Sequence, residues 1–242
     1  MPLVLVAGGA GLLGSSLAEA LLSEGKHVLI ADVFDDAGDG SAVKEERAAR
    51  LGRHPWARVS RGDLTDGAFA AALLAEARPD VVVNAALFPV ASGGVRTLVE
   101  AAREAPVPYF VHLSDAALYG PPPEPGRHAS EDEPLAPGDD PALDARADEE
   151  EAVRRAGLPS AVLRVFDVVG PAFPAARFPM PELEAMLAGR KLPPLPGEPR
   201  DFLHVRDAVR AVISTLDRRP AGAVLNIGSG IGTTPREVVE RL

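Results

Sequence analysis

The chain opens on an apolar run that stops at regularly spaced glycines: Leu3-Val4-Leu5-Val6-Ala7, then Gly8-Gly9-Ala10-Gly11-Leu12-Leu13-Gly14. Behind the turn, Leu12, Leu13, Leu17, Leu21 and Leu22 recur at helical spacing. The stretch therefore predicts strand, tight turn and helix. Glycine suits such a turn because it tolerates positive φ and lets a pyrophosphate come up to the backbone. The helix behind it offers free N–H groups and the positive end of its dipole. A second strand, His27-Val28-Leu29-Ile30-Ala31, ends at Asp32, eighteen residues after Gly14. An acid in that place suits the hydroxyls of an adenosine ribose. The competing reading is an ordinary glycine-rich turn of an α/β domain; strand, helix and acid together speak against it.

Bulk properties narrow the class. A chain of 242 residues can form one large domain with a substantial core. Its 46% hydrophobic and 25% charged residues are those of a soluble globular protein. A net charge of −10 argues against a nucleic-acid partner, which would need a basic face. Without cysteine there are no disulfides, thiolate metal sites or cysteine nucleophiles, and five scattered histidines make no metal site. The N-terminus enters a strand without the basic region and cleavage site of a signal peptide. No apolar run is long enough to span a bilayer. The expectation is a cytoplasmic protein with no membrane or nucleic-acid partner, a monomer or homodimer acting on a small-molecule substrate.

Along the chain, strands and helices alternate. A charged helix is expected over 43–51, a strand over 56–60 and a helix over 67–76 with Asp66 as N-cap. A fully apolar strand follows at 80–84, then a helix through Val95, Leu98, Val99 and Ala102, and a strand over 109–113 that ends at Ser114-Asp115. Residues 121–141 hold seven prolines and many acids and read as a long surface loop. An acidic helix is expected over 142–156 and a strand over 160–166. Proline-rich stretches at 170–181 and up to Pro199 flank a short helix over 181–189. A helix over 207–216, a strand over 223–227 and a helix opening at Pro235 complete the pattern. This alternation predicts an α/β fold, a doubly wound parallel sheet that binds ligands at the carboxyl ends of its strands.

Several strand ends carry recurring motifs: Asp63-Leu64, Asn84-Ala85-Ala86, Ser114 to Gly120, Arg164 to Pro171, Arg200 to Asp207 and Asn226-Ile227-Gly228. With the glycine turn, in this order and spacing, they resemble the extended short-chain dehydrogenase/reductases of the NAD-dependent epimerase/dehydratase type. The resemblance covers nearly the whole chain. It implies one domain over 1–242, with a Rossmann core at about 1–168 and 202–227. Substrate-side segments would lie at about 115–141, 169–201 and 228–242. It also implies that Gly8, Gly11 and Gly14, with Leu12 and Leu13 opening the helix, hold the pyrophosphate. Asp32 would take the adenosine ribose, Asp63 and Leu64 would border the adenine, and Ala85 and Ala86 would run beside the other ribose. The Phe166 backbone would lie near the nicotinamide carboxamide. The cofactor is NAD(P)H; Asp32 favours NADH because a carboxylate repels a 2′-phosphate, while arginines in 43–53 leave NADPH open.

The resemblance further implies three catalytic groups: a tyrosine, a lysine four residues later, and a serine or threonine on the substrate oxygen. The helix where the first two belong contains neither tyrosine nor lysine. The pair falls on Ala142 and Arg146 or, in another register, on Leu143 and Ala147. The hydroxyl position falls on Asp115, with Ser114 one residue earlier. Ser114 and Asp115 are therefore the catalytic candidates: Ser114 to hydrogen-bond a carbonyl, Asp115 as an acid if burial raised its pKa. As a helix-capping carboxylate, Asp115 would do neither. Phe88, Ser92, Phe173 and Phe178 are candidates for lining an apolar pocket for a polycyclic aromatic ketone. The chain is similar to polyketide-tailoring ketoreductases of this family that lack the three groups. The expected activity is reduction of a carbonyl on an aromatic polyketide or quinone-like substrate, the proton coming from substrate or water. A non-catalytic dinucleotide sensor is the alternative, and a sugar-nucleotide epimerase or dehydratase ranks behind both.

Overall fold

A computed structural model describes residues 2–36, 40–86, 93–121, 127–171, 178–192, 194–195 and 197–241. In chain order the elements are β1 (Leu3–Ala7), α1 (Leu12–Ser23), β2 (His27–Asp32), α2 (Ser41–Leu51), β3 (Ala57–Arg61) and α3 (Gly67–Ala77). Then come β4 (Val81–Asn84), α4 (Gly94–Glu104), β5 (Phe110–Asp115), α5 (Pro141–Arg155) and β6 (Ser160–Val165). The last third holds β7 (Asp167–Val169), α6 (Met180–Leu187), β8 (Arg200–His204), α7 (Val205–Arg218), β9 (Ala223–Ile227), β10 (Gly232–Thr233) and α8 (Pro235–Glu240).

Among the described residues, seven strands form one parallel sheet in the order β3-β2-β1-β4-β5-β6-β9. The chain winds outward from β1 in one direction and from β4 in the other. Between those two strands lies the switch point where such sheets bind ligands. Ala7 pairs with both Ala31 and Asn84. Gly8, Asp32 and Ala85 therefore leave the sheet at one level and frame one crevice.

Alternate residues of the strands feed two cores. Val4, Val6, Val28, Ile30, Val111 and Leu163 point to one face, where they meet Leu17 and Leu21 of α1 and Val209 and Val212 of α7. Leu5, Ala7, Leu29, Val82, Phe110 and Val162 point to the other, against Leu74 of α3, Leu98 of α4 and Val153 of α5. Burial on both faces explains why these strands read as continuous apolar runs.

A second, three-stranded sheet, β10-β8-β7, sits beyond the carboxyl ends of the main strands. Its strands are short and lie in polar or proline-rich sequence, and Arg200-Asp201-Phe202-Leu203-His204 lacks the alternation that marks a half-buried strand. The helix expected at 207 starts at Val205, because His204 Nδ1 accepts the Arg206 N–H at 3.2 Å and caps it. The Asp66 cap stands as expected: its carboxylate accepts the N–H groups of Ala68 and Phe69. Among the described residues no helix is long and apolar enough to cross a membrane.

Candidate functional site

The glycines of the first turn have separate jobs. Gly8 has φ +71°, and a Cβ there would stand 2.6 Å from the Ala86 backbone at the end of β4. A Cβ on Gly14 would stand 2.2 Å from Gly8 O. Both positions are glycine because the chain packs on itself there. Gly11 is different. Its φ of −68° suits any residue, and among the described residues its Cβ would meet only Gly8 O, at 3.3 Å. Among the described residues no side chain caps α1 at this point. Leu12 and Leu13 pack their side chains against the core. An uncapped N-terminus with no side chain at Gly11 fits a pyrophosphate, and the residues present suit a dinucleotide.

Asp32 stands beside this turn and is buried. Its Oδ2 accepts the Ala10 N–H at 3.0 Å and its Oδ1 the Phe34 N–H at 3.3 Å. Lys44 of α2 brings its ammonium to 3.8 Å from Oδ1. Arg47, also buried, donates to Ala10 O at 3.2 Å. At the end of β3, Leu64 is buried, and the exposed Asp63 accepts the Thr65 N–H at 2.8 Å to close its own turn. Ala85 and Ala86 are half-buried at the end of β4. Asn84 Oδ1 accepts the Ala86 N–H at 3.3 Å, which leaves its amide nitrogen to donate to His112 Nδ1 at 3.0 Å. The imidazole proton therefore sits on Nε2, which has no partner among the described residues. Burial pushes His112 down to about 4, with Glu150 opposing and Arg146 adding to the shift.

A second polar cluster fills the space between β5, β6 and α5. The Ser114 hydroxyl donates to Glu150 Oε1 at 2.6 Å. Arg164 donates Nη2 to Glu150 Oε2 at 2.8 Å, Nε to the same carboxylate, and Nη1 to the Tyr119 hydroxyl at 2.7 Å. The Tyr119 hydroxyl donates to Asn226 Oδ1 at 2.8 Å. Glu150 and Arg164 are both almost wholly buried. Asp115 Oδ1 accepts the Ala117 N–H at 2.9 Å and caps the 3-10 turn Ala116–Tyr119.

Glu150 also settles which face of α5 looks inward. It and Val153 are the buried residues of that helix. At about 100° per residue, Arg146 lies about 40° from Glu150 and on its Val153 side. Ala147 is rotated to the other side, about 120° from Val153. Ala142, Arg146 and Glu149 lie on the Val153 side of Glu150 and are half-buried, and Leu143, also half-buried, lies about 20° to its other side. Burial raises Glu149 to about 7, with Arg146 opposing.

Across from α5, Asp167 opens β7 and takes a two-pronged ion pair from Arg200 of β8, with Nε to Oδ2 at 2.7 Å. Burial nevertheless holds its carboxyl above the usual range, Arg200 opposes, and Asp115 and Asp201 add to the rise. The Phe166 N–H donates to Ile227 O at 3.0 Å, fixing the backbone just before Asp167. Phe178 packs on Phe202 of β8 with ring centroids 5.4 Å apart. Phe88, Ser92 and Phe173 lie outside the described residues.

The sequence model of the NAD dependent epimerase/dehydratase family matches residues 4–228. The chain belongs to this family. It is 31% identical to a dTDP-glucose 4,6-dehydratase of Streptomyces griseus over 98% of its length and 76% of that protein's. It is 30% identical to the low-salt glycan biosynthesis protein Agl12 of Haloferax volcanii, over 99% of the chain and 81% of the relative. Among solved structures, the dTDP-glucose 4,6-dehydratase of Bacillus anthracis in complex with NAD superposes with a TM-score of 0.90 at 27% identity. That match covers 100% of this chain and 80% of the other.

Within the family frame, the structure brings Gly8, Gly11, Gly14, Asp32, Ala85 and Ala86 to one crevice. Ser114 and Asp115 stand together at the end of β5, but both have work in the fold. With its one hydroxyl proton on Glu150, Ser114 has none to give a carbonyl while that bond stands. Lys44, Glu150 and the Asp167 carboxylate went unread in the sequence. Glu150 lies in the run Asp148-Glu149-Glu150-Glu151, which looks like a solvated face, and nothing in a linear pattern sets one of its carboxylates apart.

Proposed function

We propose that this chain is an NAD(H)-dependent oxidoreductase of the epimerase/dehydratase family that reduces a carbonyl without a tyrosine proton donor. NAD(H) is the cofactor of the reading because the similar solved structures are NAD complexes and the Gly11 opening fits its pyrophosphate. A bound reduced nicotinamide would supply the hydride. Gly8, Gly11 and Gly14 would cradle the phosphates, Asp32 would hold the adenosine ribose, and Ala85 and Ala86 would flank the other end.

The observation that carries the reading is α5 beside the buried Glu150, where neither register, Ala142 with Arg146 or Leu143 with Ala147, offers a tyrosine or a lysine. A methyl group and a guanidinium supply no proton at neutral pH. Reduction of a carbonyl leaves an alkoxide that must be protonated. The proton then comes from a hydroxyl of the substrate itself, such as a phenol beside an aryl ketone, from water, or from the Glu149 carboxyl, which burial raises to about 7. Asp115 at the end of β5 and Asp167 at the start of β7 are carboxyl groups close enough to influence each other, and the Phe178–Phe202 pair adds an aromatic surface. This supports a flat aromatic or quinone-like ketone as substrate. A second reading takes a nucleotide-linked keto sugar, and its support is the likeness to dTDP-glucose 4,6-dehydratases over nearly the whole chain.

The test is NADH oxidation against hydroxyquinones, aryl ketones with and without a neighbouring phenol, and nucleotide-linked 4-keto sugars. Turnover that disappears when the phenol is methylated supports the first reading. Turnover confined to the keto sugars transfers the function to the second. Tight NADH binding with no turnover of any class would make the protein a dinucleotide sensor.

A further inference from the structure

The carboxylate that closes β2 is not a bare negative charge. Asp32 spends Oδ2 on the Ala10 N–H and Oδ1 on the Phe34 N–H. The Lys44 ammonium stands 3.8 Å from Oδ1 and 2.5 Å from Asp35 Oδ1. The lysine side chain is only 10% exposed, whereas Asp35 is 45% exposed. Lys44 is thus tied to a half-solvated carboxylate on one side and faces the ribose-reading carboxylate on the other.

Resting on the reading of Asp32 as the adenosine-ribose residue, we propose that Lys44 sets the cofactor range of this site. Its ammonium offsets Asp32, so the ribose position admits a 2′-phosphate as well as a 2′-hydroxyl, and the protein binds NADPH as well as NADH. A carboxylate alone would repel a phosphate that carries close to two negative charges. A lysine carries a compact charge on a stem of four rotatable bonds, so it can leave one anion for another. Its contact with Asp35 is partly exposed and worth little, and Asp35 can return to solvent. Asp32 keeps its two backbone donors throughout, so the β2 end need not rearrange.

The experiment is a fluorescence titration of the full chain with NADH and with NADPH. The wild type is expected to hold the two within tenfold in Kd. Lys44→Met keeps the buried stem and removes the charge; the NADPH-to-NADH ratio of Kd values should rise threefold or more. Asp35→Asn frees the ammonium and should lower that ratio. A wild-type preference for NADH above tenfold, or a Lys44→Met ratio that moves less than threefold, overturns the proposal. Should Lys44→Met fail to fold by circular dichroism, Asp35→Asn decides: a lower ratio supports the role of Lys44, an unchanged or higher one overturns it. NADH binding with an unmoved ratio refutes Lys44 alone, while loss of both cofactors in the wild type refutes the dinucleotide site with it.

Discussion

Ser114 of β5 and Glu150 of α5 are joined by a 2.6 Å hydrogen bond, and the same carboxylate is gripped by Arg164 of β6. The pair thereby fastens α5 to two central strands and fixes which side chains the helix turns inward. Because both charges are buried, removal of one leaves the other uncompensated. Glu150→Ala is expected to cost about 3–5 kcal/mol of unfolding free energy. Pairing it with Arg164→Met should recover most of the loss, since an apolar replacement of both partners can be close to neutral. Urea denaturation of the two variants checks this. A single variant as stable as the wild type would mean the pair does not anchor the helix.

The glycine turn separates packing from binding. Gly14→Ala puts a Cβ 2.2 Å from Gly8 O and should destabilise the fold. Among the described residues a Cβ on Gly11 would meet only Gly8 O, at 3.3 Å, so Gly11→Val should still fold while its side chain covers the α1 N-terminus. NADH affinity is expected to fall beyond detection in a titration, with near-native circular dichroism. Retained affinity would move the phosphate site away from this turn.

The contrast between these two clusters explains what the sequence made legible. The strands of the main sheet are apolar on both faces, and the glycines and the Asp66 cap are local features, so a linear reading finds them. The small sheet escapes because β7 and β8 pair three-residue and five-residue segments separated by a proline-rich excursion. The register of α5 stayed open because its acids look alike in sequence; only the long-range meeting of Glu150 with Ser114 and Arg164 shows which one is inside. Lys44 was hidden in the same way, since its partner Asp32 lies on another element and its burial comes from packing. Long-range partnerships between charged groups leave no periodic trace.

The buried His112 and the half-buried Glu149 pull the pH dependence of stability in opposite directions. His112 titrates near 4 in the fold against 6.5 in the unfolded chain. Between those values the unfolded chain binds the extra proton, so the His112 contribution rises as pH rises, by about 3 kcal/mol across the window. Glu149 titrates near 7 in the fold against 4.5 unfolded. There the folded chain holds the extra proton, so its contribution is lost as pH rises through that range. In the wild type the two slopes offset each other between about pH 4.5 and 6.5. Glu149→Gln should gain stability over the wild type from pH 5 to pH 8, and His112→Asn should lose ground to it over pH 4 to 6.5. Denaturation midpoints at four pH values suffice; parallel curves for wild type and variants would mean neither group is shifted.

The inner face of α5 offers the sharpest check on the proposed proton source. Arg146 and Ala142 lie one and two turns before Glu150 on the helix, and both are half-buried. A phenol at 142 with an ammonium at 146 would place a tunable acid beside the carbonyl. A positioned general acid contributes about 10²–10⁴-fold to rate. Ala142→Tyr combined with Arg146→Lys should therefore raise NADH-dependent turnover of ketones that carry no neighbouring phenol by at least about tenfold. Substrates that bring their own phenol should gain far less, because their proton is already at hand. The readout is kcat for matched phenol and methyl-ether substrates, with NADH affinity measured alongside to show an intact cofactor site. Equal gains on both, or none on either, would show that proton supply is not what the helix face withholds.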